Sequence, residues 1–188
     1  MRTVTYGAAC SLDGFIAAAD GAVDWLHFSR DVQEIMTTYW ATVDTVVMGR
    51  RTWDVAVAQG GGDGGDGCDS KVTTYVFSRT LETIAQPGVH LVATDAGEFV
   101  RDLKRKPGKG ICVMGGGELA QSLFAAGVID EVGLNIHPII LGSGVPFFRD
   151  PGRRIPLELT ESRVIGGGCV YAIYRVRQSR KRTSGARR

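Results

Sequence analysis

The sequence predicts an α/β fold with a mostly parallel central sheet and helices on both faces. Two patterns point there. Apolar, β-rich runs alternate along the chain with segments of helical period, the pattern left by crossover helices between parallel strands. Several of those runs are apolar almost without interruption, as central strands covered on both sides should be. At 188 residues the chain suits one such domain, expected over 1–178, with little left for a second.

Strands are expected at 4–10 (VTYGAAC), 45–49 (TVVMG), 74–78 (TYVFS), 89–93 (VHLVA), 111–115 (ICVMG), 131–141 (EVGLNIHPIIL) and 169–176 (CVYAIYRV). The clearest helix follows Ser29, where Val32, Ile35, Met36, Tyr39, Trp40 and Val43 fall on one apolar stripe. Ser29 can cap it, and Asp31 in the first turn suits the positive end of the helix dipole. A second helix should run from 97 to 106, stopped by Pro107-Gly108, and a third from 118 to 126, closed by Gly127. The glycine-rich run 59–70 (QGGGDGGDGCDS) offers almost no apolar burial against its ordering cost and reads as a mobile surface loop.

Composition narrows the function classes. With 44% hydrophobic and 22% charged residues the chain has an ordinary globular balance, and no apolar run approaches the roughly 18 residues of a membrane span. YGAAC at the start lacks the basic and apolar leader of a secretion signal, so a cytoplasmic location is expected. Cys10, Cys68, Cys112 and Cys169 form no C-x-x-C pair, and His27, His90 and His137 fall at no metal-ligand spacing beside them. Reduced thiols and no metal are therefore expected. The net charge of +2 hides an uneven distribution: the tail 179–188 (SRKRTSGARR) carries five basic side chains and no acid, which leaves the body mildly acidic. A nucleic-acid binder would carry its positive charge on the folded face, so the tail reads as a disordered, solubilising end.

Two strand-to-helix junctions carry the functional reading. In TVVMGRRTWD a buried strand ends at Gly49 and a helix opens with Arg50, Arg51 and Thr52. In ICVMGGGELAQSLF a strand ends in Gly115, Gly116 and Gly117, and Glu118 opens the next helix. A helix N-terminus presents unpaired N–H groups to an anion, and glycine lets the backbone approach it closely. If both strands run parallel, both helix starts lie at the carboxyl edge of the sheet, where a pyrophosphate would fit. The alternative is that the glycines make only a tight turn. Gly115, Gly117 and Ala120 satisfy G-x-G-x-x-A formally, but that fingerprint belongs on a first βα unit and here follows four strands. No glycine-rich stretch leads into the Lys-Ser or Lys-Thr of a P-loop.

The order of SLDGFIA (11–17), VDWL (23–26), VVMGRRTWD (46–54), YVFSRT (75–80) and VMGGGELAQSLF (113–124) resembles the dihydrofolate-reductase-like superfamily. IDEVGLNIHPIILGSGVPFF (129–148) resembles its riboflavin-pathway branch, the C-terminal reductase domain of the bifunctional deaminase-reductase, and the stand-alone bacterial members of that group. The resemblance implies a central mostly parallel sheet with an antiparallel C-terminal edge, and NADPH as cofactor. It implies that Gly49, Arg50 and Thr52 hold the cofactor pyrophosphate and its phosphate-bearing end, that Ser78 and Arg79 face the adenosine 2′-phosphate, and that Gly115, Gly116 and Gly117 pass beneath the nicotinamide side. Arg and Ser donors suit a phosphate dianion, in agreement with NADPH over NADH. Residues 13–25 would cover the nicotinamide, with Ile16 and Trp25 lining the pocket.

At the substrate three carboxylates stay open. Asp31 and Glu34 both lie near the register at which dihydrofolate reductases place their substrate carboxylate, and they share one helix face. Both also fit as solvated charges, and Asp13 fits as a turn former beside Gly14. Glu118 stands where many dihydrofolate reductases carry a base, a departure that the riboflavin-type branch tolerates. His137 fits either substrate contact or packing. The resemblance thus implies hydride transfer from NADPH to a C=N or C=O group of a small pterin- or pyrimidine-like substrate, and a homodimer. A non-catalytic nucleotide-binding or regulatory protein that keeps the fold is the alternative. The chain lacks the H-x-E and P-C-x-x-C zinc motif that the preceding deamination needs.

Overall fold

The computed structural model describes residues 1–58 and 72–177. The glycine-rich run 59–70, with Cys68, and the tail 179–188 lie outside the described residues. The chain opens with β1 (Val4–Ser11), the short β2 (Phe15–Ala17), α1 (Arg30–Ala41), β3 (Val43–Gly49) and α2 (Arg50–Ala58). β4 (Thr73–Phe77), β5 (Val89–Val92), α3 (Ala96–Arg105), β6 (Gly110–Val113) and α4 (Gly117–Ala125) follow. β7 (Glu131–His137), the short β8 (Val145–Pro146), β9 (Leu157–Ile165) and β10 (Cys169–Val176) close the fold.

Eight strands form one sheet in the order β5-β4-β3-β6-β1-β7-β10-β9, and β2 pairs with β8 in a separate ribbon. The first six strands of that order run parallel. β10 and β9 add an antiparallel edge. The central strands are buried on both sides: Val46, Val47 and Met48 are wholly inaccessible, as are Val4 and Tyr6. α3 and α4 cover one face, where Val100, Leu103, Leu123 and Phe124 meet Val4, Tyr6 and Val132. α1 and α2 cover the other, where Tyr39, Trp40 and Trp53 meet Val46, Met48 and Cys112. The buried apolar side chains of each helix therefore face the sheet.

Local signals place the helix ends. The Ser29 hydroxyl accepts the Val32 N–H at 3.3 Å and starts α1. Asp95 accepts the Glu98 N–H at 2.8 Å and starts α3. Gly127 follows α4 at φ +67°, the left-handed conformation a helix stop favours. Three differences from the sequence reading stand out. The apolar run 131–141 stays a strand only to His137, because Pro138 has no N–H to give a ladder. Within the α1 stripe Met36 is exposed and Val43 opens β3. β9 was not expected at all: LELTESRVI is an exposed edge strand whose polar residues break any apolar run.

The two edges of the sheet differ. The amino-terminal edge is closed by ion pairs whose cations are buried: Arg2 on Asp44, and Lys104 on Asp130 at 2.6 Å. Asp130 also accepts the Val4 N–H at 2.9 Å, which locks the start of β1. The carboxyl edge carries the two glycine junctions and the loops around them.

Candidate active site

β3 and β6 are adjacent and parallel, with Val47 beside Val113, so their two following helices start side by side. The Met114 N–H bonds the Val47 carbonyl at 3.0 Å and carries the pairing into the loop. Gly115 and Gly116 then take φ of +75° and +84°, left-handed values that an L side chain adopts only at a cost of roughly 1–2 kcal/mol. A Cβ added at Gly116 would sit 3.6 Å from Thr52 Oγ1 and 3.7 Å from the Gly49 nitrogen. The loops holding Gly49–Thr52 and Gly115–Gly117 therefore touch, and both helices turn their free N–H groups to one edge.

β4 lies on the other side of β3 and brings a third group. The Ser78 hydroxyl oxygen accepts the N–H groups of Thr80 at 3.2 Å and Leu81 at 3.0 Å, a tight turn that sets Arg79 in solvent. Arg79 has no ion-pair partner among the described residues. Arg50 reaches across from α2 and donates to Thr80 Oγ1 at 2.7 Å, while its Nε lies 3.4 Å from Asp54. Thr80, unassigned in the sequence reading, is thus the tie between α2 and the β4 turn. Glu118, in the first turn of α4, pairs with Arg51 at 3.8 Å and with Arg149 at 3.6 Å. The Arg149 chain crosses over Gly117, where a Cβ would lie 3.0 Å from its Cγ. No sequence signal marked Arg149, because only the return of the chain after β8 brings it to α4.

The segment expected as a cover is fastened at both ends. Asp13 accepts the Ser11 hydroxyl at 2.6 Å and the N–H groups of Leu141 at 3.1 Å and Gly142 at 2.8 Å. These bonds, that from Ser11 first, hold its carboxyl below the usual carboxylate range. Ile16, in the β2–β8 ribbon, packs on the core cluster under α4. Further along, the Trp25 ring meets His137 edge-on at 5.4 Å, and its indole N–H is buried without a partner among the described residues. A buried donor of this kind calls for a ligand or a water.

The other two carboxylates sit along α1. Asp31 accepts the Gly166 N–H at 2.8 Å and so binds α1 to the turn between β9 and β10. Glu34 pairs with Arg30 at 3.0 Å in solvent. Both line a cleft of about 480 Å³ between α1 and the β9–β10 hairpin, with Ile35, Tyr39, Arg163 and Tyr171. Asp31 and Glu34 are therefore brought together, while Asp13 is committed to the 141–142 turn. Among the described residues no cluster of His, Cys, Asp or Glu could hold a metal, and no helix is long and apolar enough to cross a membrane.

Residues 2–171 match the family model of the RibD C-terminal domain. The chain belongs to the RibD C-terminal domain family. It is 31% identical over 180 residues to the uncharacterized protein YyaP of Bacillus subtilis (strain 168), covering 92% of this chain and 94% of that protein. A solved protein of Shewanella sp. PV-4, assigned to riboflavin biosynthesis, superposes with a TM-score of 0.81 at 27% identity, over 94% of this chain and 100% of that one. The dihydrofolate reductase of Enterococcus faecalis, solved with NADP(H), superposes with a TM-score of 0.64 at 17% identity, over 94% of this chain and 97% of that one. That last likeness is one of fold. The RibD C-terminal family is reductase-like, and the dihydrofolate-reductase-like fold expected from the sequence is borne out.

Proposed function

We propose that this RibD C-terminal family member is an NADPH-dependent reductase acting on a C=N or C=O group of a small pterin- or pyrimidine-like substrate. The observation that carries the reading is the meeting of three donor groups at one sheet edge: the α2 start at Gly49, Arg50 and Thr52, the α4 start behind Gly115–Gly117, and the Ser78–Thr80 turn. Their chemistry fits a dinucleotide. Gly49, Thr52 and the Gly115–Gly117 loop would hold the pyrophosphate, with Glu118 keeping Arg51 and Arg149 beside it. Ser78, Arg79 and Arg50 would hold the 2′-phosphate. The bound cofactor would supply the hydride. The chain would supply position and a dry pocket under Ile16 and Trp25, with Asp31 or Glu34 anchoring the substrate in the α1 cleft. A cytoplasmic location belongs to the same reading.

NADPH oxidation measured against a panel of pterins and ribosylaminopyrimidines tests the reading. Turnover of at least one member is expected, and the class turned over separates the folate-like from the riboflavin-like activity. NADPH binding with no turnover across the panel would favour the non-catalytic nucleotide-binding role.

The proposal includes a homodimer. Across the last two strands Val164 pairs with Val170, and Leu159 pairs with Tyr174 farther along. Val164 is 78% and Leu159 52% exposed, on a strand whose outer edge is unpaired in the sheet order. Covering these residues with a second copy removes both the apolar surface and the open edge. Light scattering at micromolar concentration should give twice the chain mass of 20.2 kDa, and a monomer mass would overturn the assembly.

A further inference from the structure

Two histidines, a thiol and Trp25 meet where the second half of the covering segment crosses the carboxyl end of β7. His137 is 2% exposed. Its Nδ1 accepts the backbone N–H of His27 at 3.4 Å and lies 3.4 Å from Cys169 Sγ at the start of β10. A backbone amide can only donate, so Nδ1 is the bare nitrogen of a neutral ring, the proton rests on Nε2, and the Cys169 thiol donates. Burial pushes that thiol up, in keeping with a protonated donor. The His27 ring lies against Gly167, where an added Cβ would overlap it, and the neighbouring Gly166 is held by Asp31. Loop 23–28, the turn after β9 and the end of β7 are thus interlocked around one imidazole.

We propose that His137 is a positioning residue that, while neutral, holds loop 23–28 and its Trp25 against the site, and that releases them when it is protonated. The functional half of this statement rests on the reading of Trp25 as cover for the cofactor. Protonation turns Nδ1 from acceptor to donor, so Nδ1–H then opposes both the His27 N–H and the thiol S–H. The titratable groups facing the ring from its neighbours are His27 on the loop and Cys169 on β10, while Asp31 on α1 is turned to the Gly166 N–H. Asp13, after β1, is turned to Leu141 and Gly142. Burial first, and the charge of His27 second, keep His137 protonation below the ordinary 6.5. The folded-state value is therefore lower than that of the unfolded chain. The stability this clasp contributes is present above pH 6.5 and is lost as pH falls through the depressed value.

The full chain labelled with 5-fluorotryptophan tests this by ¹⁹F NMR across about pH 8 to 5. The Trp25 resonance, assigned with Trp25→Phe, should move in one step with a midpoint below 6.5, while those of Trp40 and Trp53 stay. The step should vanish in His137→Asn, whose amide oxygen keeps an acceptor without a titration, and should persist in His27→Gln. A flat Trp25 resonance in the parent, or a step that His27→Gln removes, overturns the proposal even if His137→Asn fails to fold. NADP⁺ affinity measured over the same range separates the two layers. The parent should lose about tenfold more affinity in acid than His137→Asn does. A Trp25 step without that difference would leave the His137 clasp standing and overturn the placement of Trp25 over the cofactor.

Discussion

Replacing Arg50 and Arg79 together with alanine should reduce the preference for NADPH over NADH by about a hundredfold. A hydrogen bond to a charged group contributes roughly 1.5–3 kcal/mol, and both guanidinium groups stand in solvent, so the lower figure applies to each. Two such contacts come to about 3 kcal/mol, close to two factors of ten. Arg50 is already braced by Thr80 and Asp54, so little side-chain freedom is lost when a phosphate arrives. Neither side chain belongs to the core, and the fold should survive both changes. Titrating parent and double variant with each dinucleotide gives the ratio directly. A double variant that discriminates as well as the parent would move the 2′-phosphate elsewhere, with Arg51 and Arg149 the next cations along the edge.

Asp31→Asn should lower kcat/KM for the substrate by at least about tenfold while leaving NADPH affinity within about twofold. The substitution suits the question, because the asparagine oxygen can still accept the Gly166 N–H and keep the β9–β10 turn in place. What it removes is the charge at the top of the α1 cleft. Glu34→Gln should change little, since Glu34 is exposed and its pair with Arg30 is of the surface kind that contributes almost nothing. Steady-state kinetics on the substrate found in the panel decides between them. Collapse in Glu34→Gln with Asp31→Asn unchanged would transfer the role to Glu34, and no change in either would leave α1 a packing element.

The parts of the fold that were legible in the sequence are those where burial dictates residue type on both faces. Val46, Val47 and Met48 could be placed because a strand between two parallel neighbours has no polar side to show. The β9 edge had no such constraint. Thr160, Glu161, Ser162 and Arg163 face water or an edge, and a strand made of them looks like a loop. Gly115–Gly117 and Gly49–Thr52 were readable as a pair because the glycine conformation and the helix start are both local properties. Contacts made by distant returns of the chain were not readable. Arg149 reaches Glu118, Asp31 meets Gly166, and His27, His137 and Cys169 come together only once β7, β10 and loop 23–28 are assembled. The same holds for Asp13, whose carboxylate fits a turn former in sequence and proves to be a fastener between segments 128 and 129 residues apart.

The proposed function requires one dinucleotide to lie along the carboxyl edge of β4, β3 and β6. Backbone amide shifts of the ¹⁵N-labelled chain during an NADPH titration test it most directly. The largest changes should fall on Gly49–Trp53, Ser78–Thr80 and Gly115–Leu119, with a second group at Ile16 and Trp25. The cavity of about 280 Å³ at the far end of α4, lined by Phe124, Gly127, Arg153 and Arg154, should stay still. Shifts concentrated around that cavity, with the Gly49 and Gly115–Gly117 amides unmoved, would contradict the account.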